Sequence, residues 1–215
     1  MQDQVAEQIA AQLLAIKAVK LNVREPFTWA SGLQSPIYCD YRKTLSYPAV
    51  RTFIKECLVA TVQQNFPEVG GIVGVVTAGI PQGALVAEVL QLPFLYARSD
   101  AKDHGLKNNI EGVLTNGQKL VVLEDLISTG RSSLQVCKAL QAAGAKVLGV
   151  LTIFSYGLNV AKENFQKAHL PLFSLSNYNM LIQKAEEQGY ITQKAMKSLK
   201  DWQKAPENWG KGKIK

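Results

Sequence analysis

The sequence predicts an α/β protein, a single domain over residues 1–215 built on a central parallel five-stranded sheet with helices on both faces. Three observations carry this reading. From residue 70 onward, apolar runs of strand length alternate with stretches of helical periodicity, the pattern of parallel strands joined by crossover helices. The runs are apolar almost throughout, as strands covered on both faces must be. The chain has 215 residues, 47% of them hydrophobic, which is enough for one good core.

Residues 3–19 place Val5, Ile9, Leu13 and Ile16 at helical spacing, so an amphipathic helix opens the chain. Residues 27–32 read as a turn and 35–40 as a short strand-like piece, so that about 1–45 form an N-terminal helix and a small hood. Ser46 is placed to cap a helix running to about Gln64, with Pro48 in its first turn, and Gly70-Gly71 ends it. Residues 72–76 form a strand that enters the small-residue turn Thr77-Ala78-Gly79, and then comes a helix with Leu85, Val89 and Leu90 inward. Residues 94–97 form the next strand. Residues 98–112 are polar and dense in charge, and read as a long loop, a feature usually kept for function. Residues 120–123 are a buried strand, and Leu134, Cys137 and Leu140 share one face of the helix after it. Strands at 146–154 and 171–175 flank a helix at 158–168, giving a sheet core over about 70–176. Residues 177–204 are helical, and 205–215 form an exposed basic tail.

Composition narrows the function. Residues 194–215 account for +5 of the net charge of +7, so the body of the protein is close to neutral. That suits a solvated helix end and tail, and argues against a nucleic-acid partner. No apolar run reaches membrane-spanning length, and Met1 is followed by Gln and Asp, so neither a membrane partner nor a targeting segment is expected. Cys39, Cys57 and Cys137 lack metal-ligand spacing and read as reduced thiols of a cytoplasmic protein.

The chemistry concentrates where strand 120–123 ends in Glu124 and Asp125. Leu126-Ile127-Ser128-Thr129-Gly130-Arg131-Ser132 come next, and then a helix. A turn that opens a helix offers backbone N–H groups and the positive end of the helix dipole, which suits a phosphate. Ser and Thr there are also ordinary helix caps. Two carboxylates at the end of an apolar strand are not ordinary, because buried charge must be paired or used. They would repel a bare phosphate, and make sense if the ligand also brings sugar hydroxyls or a cation. Neither Gly-x-x-x-x-Gly-Lys-Ser/Thr nor Gly-x-Gly-x-x-Gly is present. In the loop, Arg98, Lys102, His104 and Lys107 form a cationic cluster that is either a solvated surface or a second anion contact.

Residues 120–132, four apolar residues, two acids and a small Thr-Gly turn, resemble the 5-phosphoribosyl-1-pyrophosphate (PRPP) motif of the type I phosphoribosyltransferases. Lys102-Asp103-His104-Gly105, with Arg98 before it, resembles the mobile loop of the orotate-using members. Phe27-Thr28-Trp29-Ala30-Ser31-Gly32 with Ser35-Pro36 resembles their substrate-side segment. The resemblance implies the type I fold and transfer of phosphoribosyl from PRPP to N1 of orotate. It implies PRPP contacts at Arg98, Lys102, His104 and residues 124–132, with Lys102, His104 and Asp125 catalytic and Thr77, Ala78 and Gly79 in a pyrophosphate loop. Glu124 and Asp125 would meet the ribose, and Ser128 the orotate, with Tyr38 and Arg42 as further orotate contacts. Mg²⁺ would be bound mainly through PRPP, no protein metal ligand being identified. The partners implied are a homodimer with shared active sites and the small molecules PRPP and orotate. Related enzymes often have a cis non-proline peptide in the pyrophosphate loop, and Ala78–Gly79 is the candidate here. Arg131 stands where the family has a small residue, and the arginine that some members carry after the fourth strand has no match in 154–158. A same-fold enzyme for another base, and a PRPP-sensing nucleic-acid-binding regulator, are the alternatives that the loop and the near-neutral body disfavour.

Overall fold

A computed structural model describes residues 2–29, 32–99 and 109–209 of the chain. Helix α1 (Gln2–Ala15) buries Ile9 and Leu13, as the spacing predicts. It ends before residue 19, because Lys17 takes a left-handed φ of 54° and turns the chain. Four short strands come after it: β1 (Val19–Leu21), β2 (Phe27–Thr28), β3 (Gln34–Ser35) and β4 (Ile37–Cys39). β2 and β3 form a hairpin, and β1 lies antiparallel to β4. These pieces make the hood. A 3₁₀ turn over Tyr41–Ser46 leads into α2 (Pro48–Asn65). Ser46 is not the cap expected of it: it closes the 3₁₀ turn, and the extended Tyr47 is the N-cap, without a side-chain bond.

The remaining elements are β5 (Ile72–Val75), α3 (Gly79–Leu90), β6 (Phe94–Ala97), β7 (Ile110–Glu111), β8 (Lys119–Ile127), α4 (Arg131–Ala142), β9 (Lys146–Ser155), α5 (Asn159–Lys167), β10 (Leu172–Asn177), α6 (Tyr178–Glu187) and α7 (Gln193–Lys204). The sheet order is β10-β9-β8-β5-β6-β7. The five parallel strands are all present, and the sheet gains a sixth. β7, taken from the stretch read as loop, pairs antiparallel with the end of β6 through Tyr96↔Glu111 and Ala97↔Ile110. Two-residue strands leave no periodicity to read. Helices α6 and α7 divide the region read as one helical stretch, with Gly189 at φ 73° between them and Thr192 accepting the N–H of Ala195 as the cap of α7.

One face of the sheet is covered by α1, α2, α3, α6 and α7, and the other by α4 and α5. Leu134, Cys137 and Leu140 are buried on the second face as predicted. The inward face of α3 is different from the one expected. Gln82, Gly83, Val86 and Ala87 are buried, whereas Val89 is exposed. Small residues win that face because α3 lies close against β5: a Cβ on Gly83 would come within 2.7 Å of the Phe94 ring and 3.4 Å of the Gly74 Cα.

β8 runs four residues past Leu123, so both acids belong to the strand rather than to a turn after it. The crossovers from β5 and β8 leave in opposite directions, one through α3 to β6, the other through α4 to β9. The carboxyl ends of β5 and β8 therefore flank a topological switch point, where open sheets form a ligand crevice.

Candidate active site

Residues 127–133 build a candidate anion site at the end of β8. Gly130, at φ 75°, is the N-cap of α4, and no side chain caps that helix. Apart from a long 3.4 Å contact from the Arg131 N–H to Thr129 Oγ1, its first-turn amides keep the positive end of the helix dipole open to a ligand. Glycine is needed at position 130 for space as well as for φ, since a Cβ would lie 2.5 Å from the Phe165 ring. Asn164 Nδ2 donates to the Thr129 carbonyl at 3.0 Å and fixes the turn from the α5 side. A recess of about 460 Å³ opens over it, lined by Ser128, Thr129, Ser132, Arg131, Ser99 and Gln135. Arg131 thus stands at the rim of the anion site.

Glu124 is buried. Its Oε2 accepts from Ser133 Oγ at 3.2 Å, and its Oε1 accepts from the Asp125 N–H at 3.2 Å. Burial first, and then the neighbouring Asp125, push the Glu124 carboxyl up to about 9. Burial also raises Asp125, against hydrogen bonds and the charge of Arg42, which favour its ionised form. Both carboxyls thus favour their protonated forms more than free carboxyls do, Glu124 chiefly through burial. Such a pair suits a ligand that brings hydroxyl donors or a cation.

Thr77, Ala78 and Gly79 lie beside the acids. Gly79 opens α3, and a Cβ there would lie 2.4 Å from the Leu123 carbonyl oxygen, so only glycine lets this turn close on β8 just before Glu124. The cis peptide falls at Val76–Thr77, not at Ala78–Gly79. Ala78 already has helical φ −77° and ψ −21°, so the chain reverses earlier, directly off β5. Arg98 follows Ala97, whose carbonyl accepts from the Val76 N–H at 2.9 Å, so it lies at the same edge of the sheet. Lys102 and His104 lie outside the described residues.

The hood supplies the third wall. Tyr38 packs on Phe27 with ring centroids 5.7 Å apart. Arg42 Nε donates to Asp40 Oδ1 at 2.7 Å, and Tyr38 and Asp125 both lie within reach of its charge. Ser128 lines the anion recess and also a larger cavity of about 990 Å³ bounded by Trp29 and Leu33 of the hood and by residues 203–209. Directly after β9 stands Tyr156, buried, with its hydroxyl donating to Cys39 Sγ at 3.2 Å. Burial pushes the Cys39 thiol up to about 12, so it stays protonated.

Two residues here escaped sequence reading. Ser133 holds Glu124 in place, and its only signal was its position in the second half of a serine doublet. Tyr156 joins the hood to the sheet and left no signal, being one aromatic at a strand end. Among the described residues no cluster of three or more metal-ligating side chains exists, all three cysteines are free, and no helix is long and apolar enough to cross a membrane.

Comparison with known proteins identifies the family. The family described as phosphoribosyl transferase domain matches residues 42–173, which contain both loops and the acid pair. An orotate phosphoribosyltransferase of Listeria innocua is 53% identical over 207 residues, 96% of this chain and 99% of the relative. One from Enterococcus faecalis is 55% identical over the same shares. The crystal structure of orotate phosphoribosyltransferase from Aeropyrum pernix superposes with a TM-score of 0.73 at 27% identity, covering 86% of this chain and 99% of that one.

Proposed function

The chain belongs to the orotate phosphoribosyltransferase family, and on that premise we propose that it transfers phosphoribosyl from PRPP to N1 of orotate. The products are orotidine 5′-monophosphate and pyrophosphate, a step of pyrimidine biosynthesis. The observation that carries the assignment of parts is the position of Ser128, which lines the uncapped helix terminus and the hood-side cavity at once. The 5′-phosphate belongs on the first-turn amides of α4 with Thr129, Ser132 and Arg131. Ribose hydroxyls belong on Glu124 and Asp125, and orotate belongs beside Ser128 under the hood.

The base brings a carboxylate, which calls for a cation. With Tyr156 buried at the end of β9, Arg42 is the guanidinium of the described hood residues that reaches Asp125 with its charge, and we assign it the orotate carboxylate, with Tyr38 beside it.

Bond cleavage at C1 leaves a sugar cation and a departing pyrophosphate. The chain's contribution is positioning and charge stabilisation. Asp125 faces the developing positive charge, and Thr77, Ala78 and Gly79 line the leaving-group side with Arg98. Lys102 and His104 meet the pyrophosphate from the neighbouring subunit of a homodimer, and closure of that loop excludes water. The buried acid pair fits a substrate that arrives with Mg²⁺ carried mainly on its own oxygens, and when bound the ion neutralises charge on the leaving pyrophosphate. The enzyme works in the cytoplasm, where its reduced thiols are stable.

Absorbance at the orotate band, with PRPP and Mg²⁺ present, tests this against uracil, hypoxanthine and adenine as rival bases. Orotate is consumed and the others are spared. Consumption of another base with orotate untouched would overturn the reading.

A further inference from the structure

The hood and helices α6 and α7 come from opposite ends of the chain, outside the matched residues 42–173, yet they are tied to each other. Trp202 of α7 is fully buried, and its Nε1–H donates to the Gln34 carbonyl of β3 at 3.2 Å across 168 residues of sequence. Its ring packs edge-on against Trp29 at 5.6 Å and Tyr156 at 5.6 Å, and obliquely on Tyr178 at 5.4 Å. Trp29 in turn donates from Nε1 to the Ile37 carbonyl of β4 at 3.1 Å. Tyr156 bonds Cys39 of β4 through its hydroxyl, and its carbonyl accepts from Gln203 Nε2 at 2.8 Å.

The hood is also seated on the core by Val19, Ile37 and Tyr41, the last against the Phe154 ring at 5.5 Å. Its strands are two or three residues long, too short to keep a fixed geometry unaided. The anion site needs none of these contacts, because α4 packs on β8 and β9 and Asn164 braces its turn.

We propose that Trp202 is a positioning residue for the base-binding half of the site: with Tyr156 and Gln203 it clamps the hood over Asp125 and Ser128, so that Tyr38 and Arg42 keep their place on orotate. Trp202 does not touch the substrate. The inference rests on the orotate reading above, and it separates two halves of one site: phosphate binding is built into the sheet and helix α4, while base binding depends on the last helix of the chain.

Steady-state kinetics of Trp202→Phe, with each substrate varied in turn, reads the split. The variant keeps an aromatic ring and loses the N–H to Gln34. The KM for orotate should rise about three- to tenfold, the size of one net hydrogen bond, while the KM for PRPP stays within about twofold. Gln203→Ala, a half-buried position that leaves the core intact, should move the orotate KM in the same direction by a smaller factor. Hydrogen exchange should quicken at residues 35–39 and stay unchanged at 130–136 in both variants. An unchanged orotate KM, or equal rises in both KM values, would overturn the clamp. A wild-type enzyme that consumes a different base would sink the orotate reading alone, since the same split for that base still judges Trp202.

Discussion

Replacing Glu124 with Gln should make the ligand-free protein more stable at alkaline pH and flatten its dependence on pH. In the unfolded chain Glu124 ionises near 4.5, and in the folded protein burial and Asp125 hold its proton to about 9. Between those values the folded state binds more protons than the unfolded state, so stability falls as pH rises. The slope for one such proton approaches 1.4 kcal/mol per pH unit, so the fall from pH 6 to pH 8 is at most about 3 kcal/mol. For a chain of 215 residues that is a drop in melting temperature of about 6 °C. Gln has nearly the same volume, and its carbonyl oxygen can still accept from the Asp125 N–H while its Nε2 donates to Ser133 Oγ, but it has no proton to lose. Asp125, raised in the same direction, leaves the variant with a weaker slope of the same sign. Thermal unfolding followed by circular dichroism at pH 6, 7 and 8, at one ionic strength and without ligand, makes the comparison. Curves for wild type and variant that fall in parallel would refute the reasoning, because they would mean that Glu124 is ionised in the folded state.

The same geometry sets the outcome of other substitutions. Gly79→Ala puts a Cβ 2.4 Å from the Leu123 carbonyl oxygen. It should cost about 1–3 kcal/mol of stability and raise the KM for PRPP, measured by thermal melts and kinetics. Arg42→Ala should raise the KM for orotate about ten- to a hundredfold, the range of a hydrogen bond between charged groups, with the KM for PRPP nearly unchanged. Lys102→Ala should depress turnover without lowering the melting temperature, and Asp125→Asn should impair PRPP use. Mixing these two impaired proteins should restore activity toward about a quarter of wild type, because half of the random dimers then hold one intact shared site.

The sequence made the parallel sheet legible, and with it the strand, acid pair, turn and helix of the candidate site, for physical reasons that the residues display. Runs such as 120–123 and 146–154 are apolar because both faces are covered, and two acids at the end of such a run must be paired or used. What stayed hidden depended on close approach and distant pairing. The face of α3 was misread because hydrophobic size pointed to Val89, whereas packing against β5 demanded Gly83 and Val86. The cis peptide was placed two residues late because the turn's composition does not say where helical dihedrals begin. β1 and β7 are too short to carry a period. The link from Trp202 to Gln34 spans 168 residues, and nothing local announces it. The resemblance supplied the roles of Lys102 and His104, and the geometry supplied the neighbourhood of Arg42 and Asp125.

In the proposed reading one site, between the ends of β5 and β8, holds a ribose phosphate on α4 and a carboxylate-bearing base under the hood. A crystal structure with orotate and an unreactive PRPP analogue tests it most directly. The 5′-phosphate should lie within hydrogen-bond distance of the amides of residues 130–132, and the orotate carboxylate on Arg42 beside Ser128. A phosphate bound away from the start of α4, or a base outside the hood, would contradict it.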